Sequence, residues 1–253
     1  MEDMGLPFLV IDADDTLWES SLFFERAEDD FIRLMESAGA DGESARALVH
    51  RRDIERLEMT GFGARPYIET LSSVMSELIR EPSASMLRSF EDIAACLMDH
   101  PVLLYPGTAR TLGIIRASGI RTVVYTMGRA DHQTSKFERS GTSDLVTALE
   151  VVERKTAAGL AALLQRYGVE PSGAVCVGNS PRSDVNPALA VGARAVLLSR
   201  DRLWAAEREE IADPGGVTVI SSLTELPGIL GIQSGGTGPQ GGERSSPPAA
   251  VMP

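Results

Sequence analysis

The chain has 253 residues, 43% of them hydrophobic and 24% charged, enough to bury one large core or a core plus a smaller accessory unit. Its formal net charge of −12 repels nucleic-acid backbones and anionic lipid, which excludes a basic-surface binder. Any phosphate must be met by a local, built site, and the expected partner is a small molecule, with no nucleic acid and no membrane. No apolar run reaches the ~20 residues of a membrane span, and the acidic start Met1-Glu2-Asp3 is unlike a signal peptide, so a cytoplasmic location is expected. Cys96 and Cys176 lie in apolar stretches with neither metal-ligand nor disulfide spacing and read as buried thiols. Lysine occurs only at Lys136 and Lys155, and the sequence leaves the oligomeric state open.

In chain order, residues 6–11 form a short apolar run that stops at Asp12, Asp14 and Asp15, as a buried strand does at a sheet edge. Residues 20–100 then carry apolar positions at helical spacing, such as Phe24, Ala27, Phe31, Leu34 and Met35. Glycines and prolines divide this block into four expected helices, which read as an inserted helical unit. Beyond Tyr105-Pro106-Gly107 the pattern alternates: helix 108–117, strand 121–125, helix 131–139, strand 145–151, helix 156–167, strand 174–177, helix 181–191, strand 195–198 and a last strand 217–220. Repeated βα units with continuous apolar strands imply an α/β fold with a Rossmann-like parallel sheet, covered on both faces. The expected organisation is a core over residues 1–18 and 101–232, a helical unit over 19–100, and a disordered Gly-, Ser- and Pro-rich tail over 233–253.

Four features fall at the C-terminal ends of expected strands, the edge where such sheets bind ligands. Asp12-Ala13-Asp14-Asp15-Thr16 follows the first strand, Thr126 the second, Lys155 the third, and Gly178-Asn179-Ser180 with Asp184 the fourth. A carboxylate such as Asp12 can attack phosphorus and form an acyl phosphate that water then hydrolyses. Asp14 stands two residues on, where a protonated carboxyl could protonate the leaving alkoxide and later deprotonate the water. Thr126 can donate to a phosphoryl oxygen, and Lys155 can set a positive charge against the transferring group. A magnesium ion would suit these hard oxygen ligands, with Asp184 as a further donor. Each feature alone has a plain counterpart as a turn, helix cap or surface charge; together, in this order, they point to phosphoryl chemistry.

These residues resemble the four motifs of the haloacid dehalogenase (HAD) superfamily, over roughly residues 8–198. Asp12-Ala13-Asp14-Asp15-Thr16-Leu17-Trp18, Leu104-Tyr105-Pro106-Gly107 and Gly178-Asn179-Ser180-Pro181-Arg182-Ser183-Asp184 look like the phosphatase branch with a helical cap of the C1 type inserted after the first motif. The resemblance implies a HAD-like hydrolase acting on a phosphomonoester, with Asp12, Asp14, Asn179 and Asp184 around Mg2+ and Asp14 giving its backbone carbonyl. It makes Asp14 the residue that favours phosphate over haloacid, because the metal-free dehalogenases lack that second aspartate. Asn179 departs from the aspartate common there, so weaker metal binding is expected. A phosphotransferase or phosphomutase, or a feeble homologue that binds a phosphometabolite, are the alternative readings.

The remaining candidates concern the part of the substrate beyond its phosphoryl group. Phe62 and Arg65, in Gly61-Phe62-Gly63-Ala64-Arg65, either reach down to the ligand or form a plain interhelical turn. Trp18 either stacks on substrate or fills the hinge below the helical unit. His132 and Gln133 either touch substrate or, as the first turn of a helix favours, cap the helix they begin; Lys136 is expected on its solvated side, with its rarity leaving a functional role open.

Overall fold

The apolar run at the start of the chain forms β1 (Phe8–Ile11), whose alternate side chains feed two separate cores. Leu9 and Ile11 pack on one face of the sheet with Leu112, Ile115 and Val124, while Phe8 and Val10 pack on the other with Tyr125, Leu160 and Leu163. Apolar residues on both sides are the reason this strand reads as a continuous run and does not alternate. The computed structural model describes residues 6–232; the tail expected over residues 233–253 lies outside them.

Six strands, β1, β2 (Thr122–Met127), β3 (Ala148–Val152), β4 (Ala174–Gly178), β5 (Arg194–Leu198) and β6 (Val217–Ile220), form one sheet in the order β3-β2-β1-β4-β5-β6. Every pairing is parallel, and Ile11 lies in register with Val124 on one side and Val177 on the other. The last residues of β1, β2 and β4 therefore reach the same edge, on either side of the point where the strand order reverses. The expected α/β class holds, with small shifts of boundary. β2 runs on through Thr126 and Met127, and β3 starts three residues late because residues 143–145 close a short 3-10 turn. The expected helix 181–191 begins as a π-turn (Pro181–Val185) before α8 (Asn186–Val191).

Between β1 and β2 the chain builds four helices, α1 (Ser21–Ser37), α2 (Gly42–Thr60), α3 (Ala64–Leu78) and α4 (Ala84–Met98), then α5 (Thr108–Ala117). The first four share an apolar cluster of their own, centred on Phe31, Met35, Leu71 and Val74. Two chain crossings tie them to the sheet. Glu19 N–H donates to Leu103 O (2.9 Å) and Tyr105 N–H to Leu17 O (3.0 Å), so the outgoing and returning segments pair as an antiparallel ribbon. At its root Asp15 adopts φ 58°, a left-handed turn that aspartate tolerates better than branched residues. Its carboxylate accepts from Ser20 N (2.9 Å) and from Ser21 N and Oγ (2.9 and 2.5 Å), fixing the start of α1. Arg200 stacks 3.4 Å above the Tyr105 ring and donates to the carbonyls of Asp15 (2.9 Å) and Thr16 (3.2 Å).

Cys176 is buried on β4, and burial pushes its thiol up to about 12. Cys96 is exposed, contrary to expectation, because α4 turns that position away from the cluster its apolar neighbours enter. None of the described helices is long and apolar enough to cross a membrane.

Candidate active site

The sheet edge forms the floor of a cavity of about 790 Å3 whose roof is the helical block. Asp12, at the end of β1, is fixed by its backbone N–H donating to Val177 O (2.8 Å). Lys155, three residues past β3, reaches in from the side and is buried, its ammonium donating to Asp12 Oδ1 and to Asp184 Oδ1 (2.7 Å). Asp184 projects from the π-turn after β4, and its Oδ2 accepts from Ser180 N (3.0 Å). That approach requires glycine at 178, since a Cβ there would stand 2.0 Å from Asp184 Oδ2. Thr16 Oγ1 donates to the Asn179 amide oxygen at 3.4 Å, and Thr126, buried in β2, completes the floor.

The two lysines each hold one aspartate of the first motif, with opposite electrostatic results. Burial pushes the Asp12 carboxyl up to about 7 against the pull of Lys155, with the nearby charges of Asp184 and Asp14 adding to the rise. Burial also raises Asp184, again opposed by Lys155, while Asp12 and Asp184 together overcome burial and hold the Lys155 ammonium well above its usual range. The Asp14 side chain is partly buried, and Lys136, Gln133 and Trp18 outweigh that burial and hold its carboxyl at about 2. Its Oδ1 accepts from Trp18 Nε1 (2.7 Å) and Lys136 Nζ, and its Oδ2 from Gln133 Nε2 (2.8 Å). The expected proton on Asp14 is therefore absent from the resting chain, because three donors converge on it; the raised carboxyls are Asp12 and Asp184.

Several side chains take places other than those expected. Lys136 is 2% exposed, not solvated: α6 (Ala130–Arg139) turns it under the site, with its ammonium 5.9 Å from the Trp18 ring centre. Gln133 does not cap α6, since its amide also donates to Met127 O (2.5 Å), and His132 lies 3.2 Å from Met98 O at the foot of α4. Trp18 is fully buried in the hinge and holds Asp14, away from the cavity wall. Phe62 and Arg65 both line the cavity, Phe62 edge-on to Trp204 at 5.5 Å. The roof holds a polar group that no motif of the sequence marks. Glu28 of α1, buried, accepts from Arg46 (2.6 Å), lies 2.9 Å from His50 Nε2 and accepts from Tyr67 OH (2.5 Å). Its one sequence signal is a carboxylate beside Ala27 on the face that carries Phe31 and Met35 into the core.

The donor set fits a hard divalent cation. Asp12 and Asp184 are both buried, and one ammonium balances only one of them. Among the described residues no three His, Cys, Asp or Glu side chains group as a metal cage. Magnesium keeps several waters and needs only one or two carboxylates, so the two aspartates, the Asp14 carbonyl and the Asn179 amide oxygen suffice in kind.

A parallel doubly wound sheet, a carboxylate nucleophile candidate at the end of its first strand and a lysine-bridged aspartate pair beneath a helical roof are the features of a hydrolase with a HAD-like α/β core. Residues 8–192 match the haloacid dehalogenase-like hydrolase family, and the chain belongs to it. It is 27% identical to a glyceraldehyde 3-phosphate phosphatase of Methanothermobacter thermautotrophicus, over 89% of this chain and 100% of that protein. It is 34% identical to a phosphoglycolate phosphatase of Rhodospirillum rubrum, over 53% of this chain and 56% of that one. Among solved structures, a haloacid dehalogenase-like family hydrolase from Xanthomonas campestris superposes with a TM-score of 0.77 at 26% identity, covering 89% of this chain and 90% of that one.

Proposed function

We propose that this protein is a magnesium-dependent phosphatase that hydrolyses a small organic phosphomonoester through an aspartyl phosphate on Asp12. The observation that carries this reading is the ammonium of Lys155 held between Asp12 and Asp184 on the floor of the cavity. Lys155 occupies Oδ1 of Asp12, which leaves Oδ2 to attack phosphorus while the bond to the leaving oxygen breaks. Thr126 and Lys155 donate to the phosphoryl oxygens, where charge concentrates in transfer. Water then attacks the phosphorus of the acyl phosphate, restoring the Asp12 carboxylate and releasing phosphate. Asp14 is ionised at rest, so the proton for the leaving oxygen passes from the Lys136 ammonium bonded to it, and the proton released by the attacking water returns to that Asp14–Lys136 pair. Magnesium, held by Asp12, Asp184, the Asp14 carbonyl and the Asn179 amide oxygen, would offset charge on the transferring group.

Residues 19–100 act as a cap over a core of residues 1–18 and 101–232, and the non-phosphoryl part of the substrate lies against Phe62 and Arg65. The cavity volume is ordinary for a small-molecule site, and the phosphatases similar to this chain are named for two- and three-carbon phosphates, which supports a small phosphorylated substrate. The test is phosphate release from an aryl phosphate and from a panel of phosphorylated metabolites, with and without magnesium. Release that needs magnesium is expected; no release from any of them with magnesium present would overturn the proposal.

A further inference from the structure

The segment between β5 and β6 folds back over the sheet edge, and a short 3-10 turn over residues 205–207 sets Glu207 against the π-turn that carries Asp184. Glu207 is 8% exposed and lines the active-site cavity. Its Oε2 accepts from the Ser180 hydroxyl, the residue whose backbone N–H holds Asp184. Its Oε1 is buried and has no hydrogen-bond partner among the described residues. A carboxylate in that position is costly unless a positive charge balances it, and a neutral hydroxyl does not.

We propose that Glu207 is an outer carboxylate of the magnesium site, a positioning residue that holds the Ser180–Asp184 turn and adds the negative charge that the Asn179 amide cannot; this rests on the magnesium-dependent reading above. The charges balance on that assignment. Asp12 and Asp184 against Lys155 leave one net negative charge, and Glu207 makes two, matching a divalent cation. Glu207 is not one of three grouped side chains, so its action is electrostatic and through Ser180, outside the direct ligand set.

The test is calorimetric titration of magnesium chloride into the full-length protein, with the melting temperature of the metal-free form as a check on folding. Glu207→Gln keeps an acceptor for Ser180 and removes only charge, so its magnesium Kd should rise by about tenfold while the metal-free melting temperature does not fall. Glu207→Asp, which keeps the charge, should stay nearer the wild-type Kd, and Asn179→Asp combined with Glu207→Gln should recover most of the loss. An unchanged Kd in Glu207→Gln, or a double variant that recovers nothing, would overturn the role of Glu207 alone. Absence of magnesium binding by the wild type would instead remove the reading on which the inference rests, and the inference with it.

Discussion

Replacing Asp53 by asparagine examines how the helical block is charged where it meets the core. Asp53, on α2, is 8% exposed, and burial pushes its carboxyl from 3.8 up to about 6, against a hydrogen bond from Trp204, with the Glu28 charge adding to the rise and His50 opposing it. The folded protein thus binds this proton more tightly than the unfolded chain. The stability it contributes is fully present below about pH 4 and is lost as pH rises through about 6. A shift of about 2 units is worth ~3 kcal/mol in full, and linkage assigns about 2 kcal/mol of it to the interval between about pH 4.5 and about pH 7.5. Asparagine keeps the shape and the acceptor for Trp204 but has no charge to bury. In urea unfolding at those two pH values, the stability of Asp53→Asn relative to wild type should improve by about 2 kcal/mol toward the higher pH. A relative stability that is flat with pH, or that moves the other way, would refute the burial of an ionised Asp53 at neutral pH.

Lys136→Met strips the ammonium from a partly buried carboxylate, so the metal-free protein should lose about 1–3 kcal/mol in urea unfolding, and turnover of alkyl phosphates should fall more than that of aryl phosphates, whose leaving groups need no proton. Equal losses on both substrate types would separate Lys136 and Asp14 from proton transfer. Arg65→Ala should lower kcat/KM on the best metabolite of a substrate panel by about tenfold or more and leave a small aryl phosphate nearly unchanged, because the contact lies beyond the phosphoryl group. Equal effects on both would take the 61–65 loop out of substrate recognition.

The sheet edge was legible in the sequence because its signals are local. A buried parallel strand is a short apolar run, and a polar cluster right after it sits at the C-terminal edge whatever the rest of the chain does. Asp12, Thr126, Lys155 and Asp184 reach one floor for that reason. What stayed hidden depends on which way a helix or loop faces. Lys136 has solvated neighbours in α6, and only the partner across the fold, Asp14, explains its burial; its scarcity as a lysine was the available hint. The first-turn place of Gln133 points to a cap, but its amide instead joins Met127 O at the end of β2 to the Asp14 carboxylate, partners distant in sequence. Glu207 carries no motif, and its contact with Ser180 comes from a return loop whose path no periodicity encodes. Trp18 could be assigned to hinge or substrate only once the antiparallel ribbon at Leu104 was visible.

The central claim is that phosphorus is bonded to Asp12 during turnover. The most direct measurement is an acid quench in mid-turnover with the best substrate, followed by borohydride, which reduces an acyl phosphate of aspartate to homoserine, and peptide mass spectrometry across residues 8–18. Homoserine at position 12, dependent on substrate and absent from Asp12→Asn, is the expected result. Continuing phosphate release with position 12 unmodified and the label on another carboxylate would contradict it.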